Sequence, residues 1–232
     1  MPSPVFKQAL IVGAGSGLSA SLARTLTREG LAVSLAARST EDLAALVRET
    51  GARAFPCDAS KHSDVERLFN ELDASGTPDV VIYNASFRTR GPLAELDPDD
   101  VERALAVTAF GAFLVAQQAV RRMLPRGTGA ILFTGASAGV KGYPQSAPFA
   151  MGKFALRGLA QSMARELHPQ GIHVAHVVVD GGIRSGRRAE PSDQPESLLD
   201  PDAIAETYLH LIRQPRSVWS WEVEVRPWVE KF

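Results

Sequence analysis

The stretch Gln8-Ala9-Leu10-Ile11-Val12-Gly13-Ala14-Gly15-Ser16-Gly17-Leu18-Ser19 decides how the rest of the chain is read. A short apolar run ends on Gly13, and the residues from Leu18 to Arg28 have the spacing of an amphipathic helix. A strand that passes through a glycine-rich turn into a helix is a phosphate-binding arrangement. Glycine lets the backbone bend tightly and come close to a pyrophosphate, whose charge is met by free amides at the helix start. An ordinary strand-to-helix turn can carry the same glycines, so the pattern gains its weight from its surroundings.

Outward from that turn, short β-branched runs alternate with helical segments. Strands are expected over 9–12, 32–37, 53–56, 80–84, 130–134, 174–179 and 221–225, with helices near 17–29, 40–50, 63–74, 99–124, 146–168 and 202–213. Several of these helices are introduced by Ser, Thr or Asp in capping position. The order predicts an α/β fold: a single doubly wound (Rossmann) domain over 1–232, with a seven-stranded parallel sheet flanked by helices. Ligands of such sheets collect at the carboxyl ends of the strands. The segment 184–200 has no clear periodicity and carries Arg184, Arg187 and Arg188. It reads as a mobile substrate loop or lid, and its arginines suit an anionic substrate if they are not simply solvated.

The 25 Lys and Arg balance 26 Asp and Glu, and there is no polybasic run, which argues against nucleic acid as a partner. No segment approaches the ~20 apolar residues that span a bilayer, so no membrane association and a cytoplasmic location are expected. The single cysteine, Cys57, has no Cys or His at metal-ligand spacing and reads as an apolar filler. His173 and His176 are an odd number apart on a strand and point to opposite faces, so no metal site is expected.

At the end of the second strand, Ala37-Arg38-Ser39-Thr40 has no acid where an NAD site places one for the ribose 2′-hydroxyl. A guanidinium can grip a 2′-phosphate in forked geometry, and the Ser39 and Thr40 hydroxyls can add to it, which favours NADP(H). Ser39 can equally cap the next helix while Arg38 is solvated, and both readings can hold together.

Over nearly its whole length, from Leu10 to the last strand, the chain resembles the short-chain dehydrogenase/reductases. Gly13, Gly17 and Ser19 are similar to that family's glycine turn, with serine for the last glycine. Cys57-Asp58 resembles its adenine-contacting Asp, Asn84-Ala85-Ser86 its Asn-Ala-Gly element, and Asp180-Gly181-Gly182-Ile183-Arg184-Ser185 the stretch beside the nicotinamide. The resemblance implies that Gly13, Gly15, Ser16, Gly17, Leu18, Arg38, Ser39, Asp58, Asn84, Ala85, Gly181 and Ile183 hold NADP(H), with Lys153 on the nicotinamide ribose. It also implies a small-molecule substrate. The helices over 99–124 and 146–168, with Phe110, Phe113, Leu114, Phe154, Leu156 and Leu159, correspond to helices that pair across a dimer axis in the family. A homodimer or homotetramer is expected.

The family's catalytic set of Asn, Ser, Tyr and Lys is not kept. Phe149-Ala150-Met151-Gly152-Lys153 preserves the spacing of Tyr-x-x-x-Lys with phenylalanine in the tyrosine place, Ala136 stands for the serine and Thr108 for the asparagine. A phenyl ring cannot donate a proton, and a positioned acid contributes ~100- to 10,000-fold in rate. Tyr143, Asp180 and Ser137 are the candidates to stand in beside Lys153. Dienoyl-CoA reductases of the resembled family recruit such an upstream tyrosine. Against that, Tyr143 can be a loop aromatic packing over the cleft, and Asp180 a cap or turn residue. Two functions remain: an NADP(H)-dependent oxidoreductase acting on a small carbonyl or conjugated C=C substrate with a displaced proton donor, or a catalytically inactive NADP(H)-binding sensor or partner subunit.

Overall fold

The computed structural model describes residues 6–186 and 188–231. Seven strands, β1 Gln8–Val12, β2 Ala32–Ala37, β3 Arg53–Pro56, β4 Val80–Tyr83, β5 Gly129–Thr134, β6 Ile172–Val179 and β7 Glu222–Val225, form one sheet in the order β3-β2-β1-β4-β5-β6-β7. All pairings are parallel. The chain winds outward one way through β2 and β3 and the other way through β4 to β7. The crossovers therefore diverge between β1 and β4, which opens a crevice at their carboxyl ends.

The strands are short and apolar because both faces are covered. On one face Ile11, Leu35, Ile82, Leu132 and Val177 meet α1 Leu18–Arg28, α2 Ala44–Thr50 and α7 Pro201–Arg213. On the other, Leu10, Val81, Ile131 and Val174 meet α3 His62–Asp73, α5 Gly111–Met123 and α6 Ala147–Leu167. Asp97 and Asp200 cap α4 Pro98–Leu105 and α7 by accepting the amides of Asp99 and Asp202, each with a proline in the first turn. Cys57 is buried as expected of a filler, and burial pushes its thiol up to about 12.

His173 and His176 do diverge. His173 stacks on Trp219 with ring centroids 4.8 Å apart, and burial lowers it to about 4, while His176 on the other face pairs with Glu222 at 3.0 Å.

The segment expected as one helix over 99–124 runs from Pro98 to Arg126 but is interrupted. Between α4 and α5 a π-helical turn spans Ala106–Phe110, and such turns concentrate at functional sites. Tyr83 Oη donates to the Val107 carbonyl inside it. By length and mean hydropathy, 1.3 over its most apolar window, this helical run is of the kind that can span a membrane, a test that the core helix of a soluble protein also passes. Half of its most apolar window is buried inside the protein.

The segment 184–200, expected as a substrate loop or lid, makes backbone and side-chain contacts of its own. Ile183 bridges Leu199, Ser185 and Arg188 exchange backbone hydrogen bonds at 3.0 Å, and the Leu198 amide donates to Glu190 Oε1. Arg184 pairs with Asp200 at 2.5 Å and is thus spoken for. Arg187 lies outside the described residues.

Gly111 shows how tightly the π turn is set. A β carbon there would lie 2.5 Å from Tyr83 Oη and 2.7 Å from the Ala59 carbonyl oxygen. Helix propensity alone favours Gly111→Ala by ~1 kcal/mol. Overpacking against a fixed carbonyl opposes it, and a net loss of about 1–3 kcal/mol is expected in urea denaturation. A stabilised variant would contradict this packing.

Candidate active site

The glycine turn is held by a relay rather than by glycine alone. Gly13 adopts φ +84, and a β carbon on it would come within 2.4 Å of the Ala85 amide nitrogen, so the ends of β1 and β4 touch only because it has none. Asn84 Nδ2 donates to Ser19 Oγ at 2.7 Å, and Ser19 Oγ donates to the Gly13 carbonyl at 3.1 Å. The serine in the place of the last glycine therefore staples the turn to the first turn of α1. Sequence reading assigned Asn84 to the cofactor and missed this positioning part, because the partners are 65 residues apart.

Beyond Gly13 the turn opens outward. β carbons at Gly15 and Gly17 would meet nothing within 4 Å, so on the protein side these positions face free space. Gly17 caps α1 with no side-chain hydrogen bond, and the first turn carries no acidic residue. Free amides and an uncompensated helix dipole suit a pyrophosphate. Ser16 is exposed beside them, and Leu18 is buried at the helix start.

Two cavities flank this turn. The smaller, about 250 Å³, is lined by Gly13, Ala37, Arg38, Cys57, Ala59, Asn84, Ala85 and Val107 among others. Arg38 is exposed at its rim beside Ser39. The next helical turn begins after Thr40 without a side-chain cap, so Ser39 is not the helix cap. Asp58 folds its Oδ1 onto Ser60, accepting from its amide at 3.1 Å and its hydroxyl at 2.7 Å. Burial alone would raise this carboxyl, but the Ser60 hydrogen bonds and then the charges of Lys61 and Arg38 outweigh it and hold it below its ordinary value.

The larger cavity, about 780 Å³, runs from Gly17 and Leu18 past Asn84 to Ala136, Ser137, Tyr143, Ser146, Phe149 and Lys153, and across to Asp180, Gly181 and Ile183. It brings together all four residues proposed from the sequence as catalytic. Lys153 is buried and its Nζ donates to the Thr134 carbonyl at 2.6 Å. With no carboxylate against it, burial lowers the amine to about 8. Its Nζ lies 5.7 Å from the centroid of the Phe149 ring, and the Arg88 guanidinium stands 4.7 Å over the same ring.

Asp180 is buried and committed. Arg226 lies 3.2 Å from its Oδ2 and Lys141 4.0 Å. Gly181, next to it, takes φ +136 with Pro227 where a β carbon would go. Tyr143 is 39 % exposed, with Lys141 Nζ 5.6 Å from its ring centroid.

Thr108, in the asparagine place, is buried in the π turn and accepts a long hydrogen bond from the Phe87 amide at 3.4 Å. Ser146 is a residue that sequence reading passed over. Its hydroxyl is buried without a hydrogen-bond partner, and it precedes Phe149 and Lys153 by three and seven residues on one helix face. That spacing was the signal available for finding it.

A doubly wound sheet with a glycine turn at its switch point, a basic residue after the second strand and a buried lysine across the cleft defines a nucleotide-binding oxidoreductase domain. The family model of short chain dehydrogenases matches residues 7–195, and the chain belongs to that family. An oxidoreductase of Staphylococcus aureus is 28 % identical to it over 228 residues, covering 95 % of this chain and 97 % of that one. Among solved structures, a short-chain dehydrogenase from Rhodopseudomonas palustris aligns with TM-score 0.83 at 34 % identity, covering 97 % of this chain and 100 % of that one. A metagenomic short-chain oxidoreductase in complex with NADP aligns with TM-score 0.84 at 28 % identity, covering 95 % and 97 %.

The buried amine carries a pH signature. In the folded protein Lys153 releases its proton near 8, against 10.5 for a free lysine. Between those values the unfolded chain holds a proton that the folded one lacks, so this residue adds stability as pH rises through the window. Its total is on the order of 3 kcal/mol. Lys153→Met has no such term. Denaturant titrations of both proteins should show the difference moving in favour of lysine from pH 7.5 to pH 10.5, and a constant difference would place the charge in water.

Proposed function

We propose that the chain is an NADP(H)-dependent oxidoreductase that moves hydride to or from a small carbonyl or conjugated C=C substrate, with a proton donor other than the residue at position 149. The observation that carries this reading is the continuity of the larger cavity. One space joins the glycine turn, the buried Lys153 and the Tyr143 ring. The metagenomic relative whose structure holds NADP supports the choice of cofactor.

The residues present fit that cofactor. Gly13, Gly15, Ser16, Gly17 and Leu18 would receive the pyrophosphate, with open space at Gly15 and Gly17. Arg38 and Ser39 would receive the 2′-phosphate at the rim of the smaller cavity. Asp58, Asn84 and Ala85 border the adenosine half, while Gly181 and Ile183 border the nicotinamide half beside Lys153. When bound, NADPH supplies the hydride and NADP+ accepts it.

The remaining chemistry belongs to the side chains. Lys153 would hold the ribose hydroxyls from its place beside the Thr134 carbonyl. Phe149 keeps water from the reacting carbon. Ser137, next to Ala136, donates to the substrate oxygen. Tyr143 gives the proton: to oxygen when a carbonyl is reduced, or to the carbon adjacent to the one that takes hydride when a conjugated C=C is reduced. Tyr143 is preferred over Asp180, whose carboxylate Arg226 already engages. Asp180 then fixes the wall of the cleft and orients Lys141 under the Tyr143 ring.

This reading includes a homodimer or homotetramer whose subunits would meet along α5 and α6. Leu114 and Leu156 are buried within the protein, whereas Phe110, Phe113, Met151 and Phe154 stay 42–51 % exposed. Phe113→Glu with Phe154→Glu should convert a dimer or tetramer to monomer in light scattering, and an unchanged mass would move the contact elsewhere.

The test of activity is a turnover panel of ketones, quinones, enones and enoyl thioesters with NADPH. Tyr143→Phe is expected to lose roughly 100-fold or more in kcat, while Asp180→Asn keeps more of it. Unchanged rates in Tyr143→Phe would remove the tyrosine from the chemistry. Tight NADPH binding with no turnover across the panel would leave a nucleotide-binding protein without catalysis.

A further inference from the structure

Three guanidiniums line the larger cavity without pairing to a carboxylate. Arg88 and Arg90 come from the loop after β4, and Arg188 from the segment after β6; all three line the same space. Among the described residues none of them makes an ion pair, although Glu230 lines the same cavity, as does Asp180, which pairs with Arg226 and Lys141 instead. Like charges gathered without counter-ions repel, and folding has no reason to collect them unless something else does.

Their positions are built. The Phe149 ring seats Arg88 at 4.7 Å, and Arg103 stacks at 4.3 Å on Phe87, the residue before it. The same loop is pinned by the Phe87 amide to Thr108 and by the Gly91 amide to the Gln145 carbonyl at 3.1 Å. Arg188 sits at the closure of the bridge with Ser185 and lies against Gly182, where a β carbon would approach its Nη1 to 2.6 Å. Burial, then the charges of Arg90 and Arg188, pull the Arg88 guanidinium below its ordinary value, as expected of a crowded cationic cluster.

We propose that Arg88, Arg90 and Arg188 form an anion subsite for the substrate, so that the molecule reduced or oxidised here carries a carboxylate or phosphate group. This rests on the oxidoreductase reading above and narrows its substrate class. The replacement of a tyrosine by Phe149 acquires a second consequence: the ring is a seat for the guanidinium that reads the anion. Arg184, expected from the sequence to share this task, is excluded by its pairing with Asp200.

The cofactor pyrophosphate is the other source of the same chemistry, because Gly17 and Leu18 border the same cavity. The experiment separates the two. Protein saturated with NADP+ is titrated calorimetrically with benzoate, succinate and inorganic phosphate, and with benzamide and succinamide as neutral counterparts. At low salt at least one anion is expected to bind roughly tenfold more tightly than the neutral probes, with the advantage shrinking in 0.5 M NaCl.

Arg88→Met and Arg188→Met, both at exposed positions, should each remove most of that advantage while leaving NADPH affinity within about twofold. No anion preference anywhere in the panel overturns the proposal. So does a large loss of NADPH affinity in both variants with anion binding unchanged, which assigns the guanidiniums to the pyrophosphate. Failure of NADP+ to bind would sink the NADP(H) reading alone, since the same titrations on cofactor-free protein still decide whether the anion is preferred.

Discussion

The ends of β1 and β4 meet at a close contact, Gly13 against Ala85, at the mouth of the crevice that the sheet order opens. Only a residue without a β carbon and at positive φ can turn there, and only a small residue can face it. The amide of Asn84 then ties the turn to α1 through the Ser19 hydroxyl. The start of α1 is thereby aimed into the crevice with its amides uncapped, and both cavities open on either side of the same turn. The sheet order sets where the crevice lies, and this contact sets its shape.

A second constraint acts across the cleft. Burying the Lys153 amine without a carboxylate costs free energy, which the Thr134 carbonyl and the Phe149 ring recover in part. Such an expense is tolerated where the group meets a ligand rather than where it only holds the fold. The phenylalanine changes the character of the cleft. It carries no proton to donate and presents its ring to two cations, Lys153 and Arg88. A proton donor for this cleft would have to come from elsewhere, and the Tyr143 ring on the neighbouring loop lines the same space.

The fold was legible because its elements are local. Alternating apolar runs mark the strands, and Asp97 and Asp200 before their prolines mark two helix starts within a residue or two. What stayed hidden was whatever depends on distant partners. The π turn leaves no trace in the apolar spacing of 99–124, since it is stabilised by Tyr83 from another element. The Asn84–Ser19 staple, the pairing of Arg184 with Asp200 and the seating of Arg88 on Phe149 join residues whose neighbourhood only the folded sheet creates. The glycine turn and the placing of Lys153 across the cleft from it could be read from motifs, because their spacing is local. The substrate half could not, because it is assembled from loops.

The central claim is that this cleft holds NADP(H), with Arg38 on the 2′-phosphate. A calorimetric titration of the unmodified protein with NADPH and with NADH, at equal ionic strength, tests it most directly. The account predicts one site per chain and at least roughly tenfold tighter binding of NADPH, the size expected for one charge-assisted phosphate contact. Equal or tighter binding of NADH would contradict the assignment of Arg38, and heat of binding from neither would contradict the site itself.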